Sequence, residues 1–464
     1  MQAKTNPLIL SNRTMSKMKS RPTRRAVLAA GAGGTILFRA PALLGQAKSK
    51  FSGTTIRGAA FSLPFHEYLR KYFPEFEDRT GIKIAFDIQA FPVYNQRMDL
   101  ELSTRGSTYD VINVTFIYQN CWIGAGWVSN LDEFTSDANA TPPGWDPADF
   151  VPGVQASMRD AKGQTYAYGI EAGAMIVGAA RGDLIEKAGL RLPTNFDEMV
   201  KVCEAVHNKE GVAAWTADKL HHWNWIPYLM GMGGGVFKDP PQNLTPTLDT
   251  PVAAQAAQWY ADLLTRFGPD GVLSYTDDQA MQSQLSGRAN MRSQAITWQL
   301  PLGKIPESTI KDRVRYGLIP AGPKGAFPGV ACHGFGIPAG SKQKGAAWEF
   351  IKWALSKEIL DRLVKEHGYP SVCRRSIIDG APFHEALTVN GQDLAELYKQ
   401  TLERAGQAGY MKYRTVPVYP QVGDKINRAI EAIATKQLDA PSALKQAQAQ
   451  AIEDIKKAGL RVDL

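Results

Sequence analysis

The sequence predicts an α/β protein of two lobes, each a doubly wound sheet flanked by helices. Three observations predict it. Between residues 54 and 114, short apolar strands alternate with amphipathic helices, the pattern of parallel sheets whose ligands bind beyond the carboxyl ends of the strands. Residues 169–180 form an apolar, glycine-rich run suited to a buried strand. The chain that would remain after an amino-terminal export segment, 417 residues, exceeds what one hydrophobic core usually organises.

That export segment is read from the first 47 residues, which hold 8 Lys and Arg and no Asp or Glu. Arg24-Arg25 precedes an apolar run over 28–38, and small residues surround a cleavage point after Ala47. This resembles a twin-arginine signal. Removing 8 of the 53 basic side chains leaves 45 against 45 acidic ones, so the mature chain has no formal net charge. The basic character of the whole sequence belongs to the signal and gives no support for binding nucleic acid or a membrane surface. No cysteine lies near the cleavage point, so the expectation is a freely diffusing periplasmic protein without a lipid anchor. The four cysteines, Cys121, Cys203, Cys332 and Cys373, show no CxxC pair and favour no disulfide pairing.

Taken in order, residues 54–60 read as a first strand, and 65–79 carry Phe65, Tyr68, Leu69, Tyr72, Phe73 and Phe76 at helical spacing. Residues 81–87 alternate as a second strand, 92–102 form a helix and 109–114 a third strand. The strand ends gather Phe61, Ser62 and Phe65, then Tyr94 and Asn95, then Asn113, Tyr118 and Gln119. Each alone fits core packing as well as ligand contact; the repetition at three successive ends is the informative part. Glu171 stands at the entrance of the long apolar run. A carboxylate among small residues must find donors or incur a desolvation cost of roughly several kcal/mol, so it reads either as a structural acceptor or as a ligand-facing one. Gly182-Asp183 opens a helix closed by Gly189, and Thr194 or Asn195 caps the next.

Residues 221–225, HHWNW, lead into an apolar helix and the run GMGGG. That run follows a helix and lacks GxGxxG spacing, so it is not a dinucleotide loop. His221 and His222, being adjacent, point apart on regular structure, which disfavours a shared metal. Amphipathic helices follow over 253–266 and 277–285, strands over 316–320 and 330–337, and a core helix over 344–356. A Pro-broken loop over 413–422 carries Tyr419 before two closing helices at 425–434 and 442–458. No motif for a cofactor survives inspection.

Several of these blocks resemble the extracellular solute-binding proteins of ABC importers, family 1, which includes the maltose-binding proteins. They are FPEFEDRTGIKIAFD, YGIEA with DLIEKAGLRLPTNFDEMV, GRANMRSQAITW, KGAAWEFIKWALS and GYPSVCRRS. The resemblance spans essentially all of 51–464. It implies the class II, two-lobed periplasmic binding protein fold with a cleft between lobes, 51–168 and 321–368 forming the first lobe and 169–320 and 369–464 the second. Glu171 would then lie where the chain first crosses the cleft, and Trp223 would face the ligand, with Trp298 as a second platform. In the third block the family often has a glycine where this chain has Gln294-Ala295-Ile296. Cys332 and His333 replace commonly small residues, leaving His333 open between ligand contact and loop filler.

The resemblance implies a receptor that captures a mono- or oligosaccharide and delivers it to membrane permease subunits, as a monomer and without cofactor or metal. Sugar rings pack on aromatic faces, and their hydroxyls bond to charged or amide groups. Trp223, Trp298, Tyr94, Tyr118 and Tyr419 supply faces, Glu171 and Gln119 hydrogen bonds; Ser62, Phe65 and His333 complete the candidates. Two alternatives stand beside this. A charged solute, such as a glycerophosphodiester, polyamine or amino-sugar, would draw on Arg374 and Arg375, although arginines at such a crossover more often brace a hinge. A carbohydrate-active enzyme would need a second carboxylate near Glu171, and none is evident at the other strand ends.

Overall fold

In the computed structural model the described residues are 49–463, apart from 241, 307, 408–411 and 414–415. The expected export signal lies outside them.

Eight strands form one mixed sheet: β1 (Thr55–Phe61), β2 (Lys83–Gln89), β3 (Val111–Val114), β4 (Ala167–Ala179), β5 (Ala213–Trp215) and, beyond a small hairpin of β6 (Phe237–Asp239) and β7 (Asn243–Pro246), β8 (Ala289–Ala295), β9 (Arg315–Leu318) and β10 (Val330–Gly336). Their order is β2-β1-β3-β10-β4-β8-β5, with β9 also paired to β4. Pairing is parallel for β1 with β2 and β3, and for β5 with β8. It is antiparallel where β10 joins β3 and β4, and where β4 joins β8 and β9.

The thirteen-residue β4 is buried throughout and belongs to both halves of the sheet. Its first part, from Ala167 to Ala174, pairs with β10; from Met175 to Ala179 it pairs with β8 and β9. Small side chains are needed because other elements close over it. A Cβ at Gly178 would fall 1.9 Å from Oε1 of Gln299.

The helix expected over 65–79 is divided into Pro64–Leu69, a 3-10 turn Arg70–Tyr72, and Phe73–Thr80. Pro74 has no N–H for the Arg70 carbonyl, so a continuous helix would lose that bond. Asn195, rather than Thr194, caps the helix Phe196–Val206, its side chain accepting from the Glu198 amide at 2.9 Å.

Buried side chains form two cores. One gathers Ile56, Phe65, Trp122, Phe335 and Trp348; the other gathers Met175, Trp215, Tyr228, Tyr260 and Leu444. The carboxyl-terminal segment is divided between them: Tyr369, Phe383 and Tyr398 enter the first core, whereas Tyr419, Ile430 and Ile455 enter the second.

Candidate ligand-binding site

Glu171 on β4 lies opposite His333 on β10, where the register shifts between His333 and Gly334. Such an irregularity re-aims side chains without ending the pairing. Glu171 is 3 % exposed, accepts from Thr297 Oγ1 at 3.2 Å, and lies 3.9 Å from His333 Nε2. Burial pushes its carboxyl up to about 8, and the Thr297 hydrogen bond offsets part of that. Near neutrality Glu171 therefore holds a proton for much of the time. It presents both a donor and an acceptor.

Rings surround this pair. Phe61, at the end of β1, is 4.7 Å from the His333 ring; Phe116, just past β3, is 5.3 Å away; Phe91, just past β2, is 6.1 Å away. Phe91 stacks on Phe116 at 6.1 Å, and Phe116 meets Trp223 at 5.8 Å. The arc thus starts on strands of the first core and ends on the helix His221–Asn224 of the second. Thr297 and the half-buried Trp298 enter from the helix Ile296–Gln299, directly after β8.

The remaining candidates divide by what they touch. Ser62 is exposed at the end of β1, its amide bonded to the Gln89 carbonyl. Tyr118 is half-buried, stacks on Trp122 at 5.5 Å and senses Asp424 from the helix Tyr419–Ala434, so it stands where the two halves approach. Gln119 is buried, and its Oε1 has no hydrogen-bond partner among the described residues. Tyr94 meets the cluster at Phe61, with ring centroids 6.1 Å apart, whereas Phe65 does not join it directly. Phe65 packs on Phe335 and Tyr369, while the Tyr94 hydroxyl is spent between the carbonyl and amide of Asn113 at 2.8 and 2.9 Å. Tyr419 donates to the His222 carbonyl at 2.9 Å and buttresses the Trp223 helix from behind.

The arginines of the charged-solute alternative, and the two adjacent histidines, are held by other parts of the chain. Arg374 is fully buried: it bonds to the Leu355 and Asp146 carbonyls at 2.7 and 2.9 Å and lies over Phe150. Arg375 donates to the Ala148 carbonyl at 2.7 Å. Both bond to backbone carbonyls, Arg374 in a sealed site and Arg375 at the exposed surface. His221 and His222 turn to separate partners, Tyr260 and Asn427.

Sequence reasoning missed Phe91, Phe116 and Thr297. The first two had a usable signal, since each follows a strand end by two residues. Two surface cavities, of about 290 and 250 Å³, share no residue with this cluster.

The chain is 23% identical to the erythritol/L-threitol-binding protein of Mycolicibacterium smegmatis over 71% of its own length and 72% of the relative's. It is 22% identical to the mannitol-binding protein of Pseudomonas aeruginosa over 82% and 88%. An ABC transporter solute-binding protein from Agrobacterium radiobacter K84, solved in complex with ribitol, superposes with a TM-score of 0.77 at 23% identity, covering 87% of this chain and 99% of that one. The two-lobed periplasmic binding protein fold is the one this likeness shows. A profile of the bacterial extracellular solute-binding proteins matches residues 64–359, well over half of the sequence, and this chain belongs to that family.

Proposed function

We propose that this chain is the exported receptor of an ABC importer, closing two lobes on a small neutral polyhydroxylated solute, a linear polyol or a small sugar, and presenting it to permease subunits. The observation that carries the reading is the buried Glu171, set beside Thr297 and His333 within an arc of aromatic rings that runs from one core to the other. A carboxyl that holds its proton can donate to one hydroxyl and accept from another without stranding a charge. The rings cover C–H faces. Relatives named for erythritol, L-threitol and mannitol, and a structural neighbour holding ribitol, favour a polyol over a longer saccharide. The burial of Arg374, whose guanidinium bonds to two backbone carbonyls, counts against an anion there.

The same reading includes twin-arginine export of residues 1–47, release into the periplasm without a lipid anchor, and action as a monomer. The lobe boundaries proposed are 51–168 with 321–368 and 169–320 with 369–464, the last segment also giving Tyr369 and Tyr398 to the first core. The same reading is one of binding without chemistry, in keeping with the solute-binding family. Ligand favours the closed form through its greater affinity for that form.

A thermal-shift panel on residues 48–464 tests this, with erythritol, ribitol, D-mannitol, maltose, a glycerophosphodiester and a polyamine. A ligand at about 100 times its Kd adds roughly 2.7 kcal/mol of stability, a shift of about a few degrees. Shifts confined to the charged compounds would overturn the proposal.

A further inference from the structure

Gln294 opens the stretch Gln294-Ala295-Ile296, where the sequence departs from the resembled family's block, and its side chain is fully engaged. Its Oε1 accepts from the Trp223 indole Nε1 at 2.9 Å and from the Ala295 amide at 2.8 Å. Its Nε2 donates to Asp218 Oδ2 at 3.0 Å and to Asp277 Oδ1 at 3.2 Å. The orientation of the amide follows from chemistry: indole and backbone N–H groups donate, ionised carboxylates accept. The two acids are held in turn by Arg292, which is fully buried; its Nη2 lies 2.7 Å from Asp218 and also bonds to Asp277. Asn224, next to Trp223, donates to Asp218 Oδ1 at 3.1 Å.

We propose that Gln294 is a positioning residue of the binding site, fixing the plane of the Trp223 ring by tying its indole N–H to the buried Arg292, Asp218 and Asp277 ion cluster. The inference rests on the reading of Trp223 as a ligand platform. A buried indole N–H requires a partner, and an aromatic face adds most to binding when it is held in place before the ligand arrives. Few side chains can make this join. It takes a neutral group that accepts from a donor-only indole and donates to acceptor-only carboxylates, with the reach of two methylenes. A carboxylate at the same position would be a third anion beside one guanidinium, and an aliphatic side chain would leave both the indole and the acids short of a bond.

The groups facing Gln294 and its partners are Asp277 and Asp278 on the helix Asp277–Leu285, Asp218 just before the Trp223 helix and His221 within it, Tyr260 on the helix Pro251–Phe267, and Arg292 on β8. Burial works to raise Asp218, but the Arg292 guanidinium holds it below the usual carboxylate range; burial pushes Asp277 up to about 6. A carboxyl introduced at 294 would meet both burial and these acids, so it would hold its proton well above the ordinary range. Protonated, it offers the same acceptor and donor pair as the amide. Ionised, it loses the donor and adds repulsion.

The test uses the mature chain with Gln294→Glu, Gln294→Leu, Trp223→Phe and the paired Gln294→Leu/Trp223→Phe variant. The near-ultraviolet circular dichroism difference between wild type and Trp223→Phe isolates the Trp223 signal without any ligand. That signal should be lost in Gln294→Leu; in Gln294→Glu it should match wild type at pH 5 and fade toward pH 8. D-mannitol, ribitol and maltose, titrated by calorimetry, should bind Gln294→Leu about tenfold more weakly than wild type, with no further loss in the paired variant relative to Trp223→Phe. A Trp223 signal that survives Gln294→Leu, with Gln294→Glu insensitive to pH, would overturn the positioning role. Loss of that signal with unchanged titrations in every Trp223 and Gln294 variant would overturn instead the platform reading beneath it.

Discussion

Glu171 costs the folded protein stability in a manner that depends on pH. Its carboxyl is held near 8 in the fold against an ordinary value of 4.5, so between those limits the native state keeps a proton that the unfolded chain has released. Stability contributed by this site is therefore fully present below the unfolded value and is lost as pH rises through the folded one, at a limiting slope of about 1.4 kcal/mol per pH unit. Glu171→Gln should flatten the melting profile between pH 5 and pH 8; an unchanged slope in differential scanning calorimetry would show that another group sets it. The two tryptophans separate by burial. Trp298, half-buried and free of the ion cluster, should on replacement by Ala weaken binding by about 1–3 kcal/mol while leaving the apo melting temperature nearly unmoved. Trp223 is 4 % exposed, so Trp223→Ala should also destabilise the apo protein, by about 3–5 kcal/mol, in denaturant unfolding. At this scale the sequence made Glu171 legible, since an acid in an apolar run demands a reason, and the resemblance pointed to Trp223. It did not reveal Gln294, whose partner in the indole bond lies 71 positions away.

The elements were largely legible, because period and turn residues act locally. β1, β4, β10 and the helix Asp277–Leu285 fall within a few residues of where apolar spacing puts them. The division of the helix after β1 was missed because Pro74 was read within the periodicity rather than against it. The irregularity between His333 and Gly334 leaves no signature in the sequence either; it follows from how β10 meets β4. Its crowding is measurable. A Cβ at Gly334 would come within 2.9 Å of both the Tyr168 carbonyl and Met158 Sδ, so Gly334→Ala should lower the unfolding free energy by about 1–3 kcal/mol, read from chemical denaturation. Arg374 fixes the next turn of the chain through two carbonyls and the 3.4 Å contact to Asp149. Arg374→Ala should cost about 2–5 kcal/mol, since it leaves the buried Leu355 carbonyl and the Asp146 carbonyl without their donor and opens a cavity beside Phe150, while Asp149 keeps its bonds from Ser376. A loss near zero would return Arg374 to the candidates for ligand contact.

On the scale of the molecule, alternation of strands and helices fixed the class, and length suggested two lobes, but neither could divide the carboxyl-terminal segment between the cores. That division depends on contacts such as Tyr398 to the Val372 carbonyl, formed after the chain has passed both cores. The resulting architecture puts its ligand candidates on strand ends and crossing strands, so closure and binding engage the same residues. The central claim is that those residues take a neutral polyhydroxylated solute. Isothermal titration calorimetry of residues 48–464 with erythritol, ribitol and D-mannitol tests it most directly. The account predicts saturable, one-to-one binding of at least one of them, and no heat from a glycerophosphodiester or a polyamine. Silence from all three polyols and from maltose, with saturation by a charged solute, would contradict it.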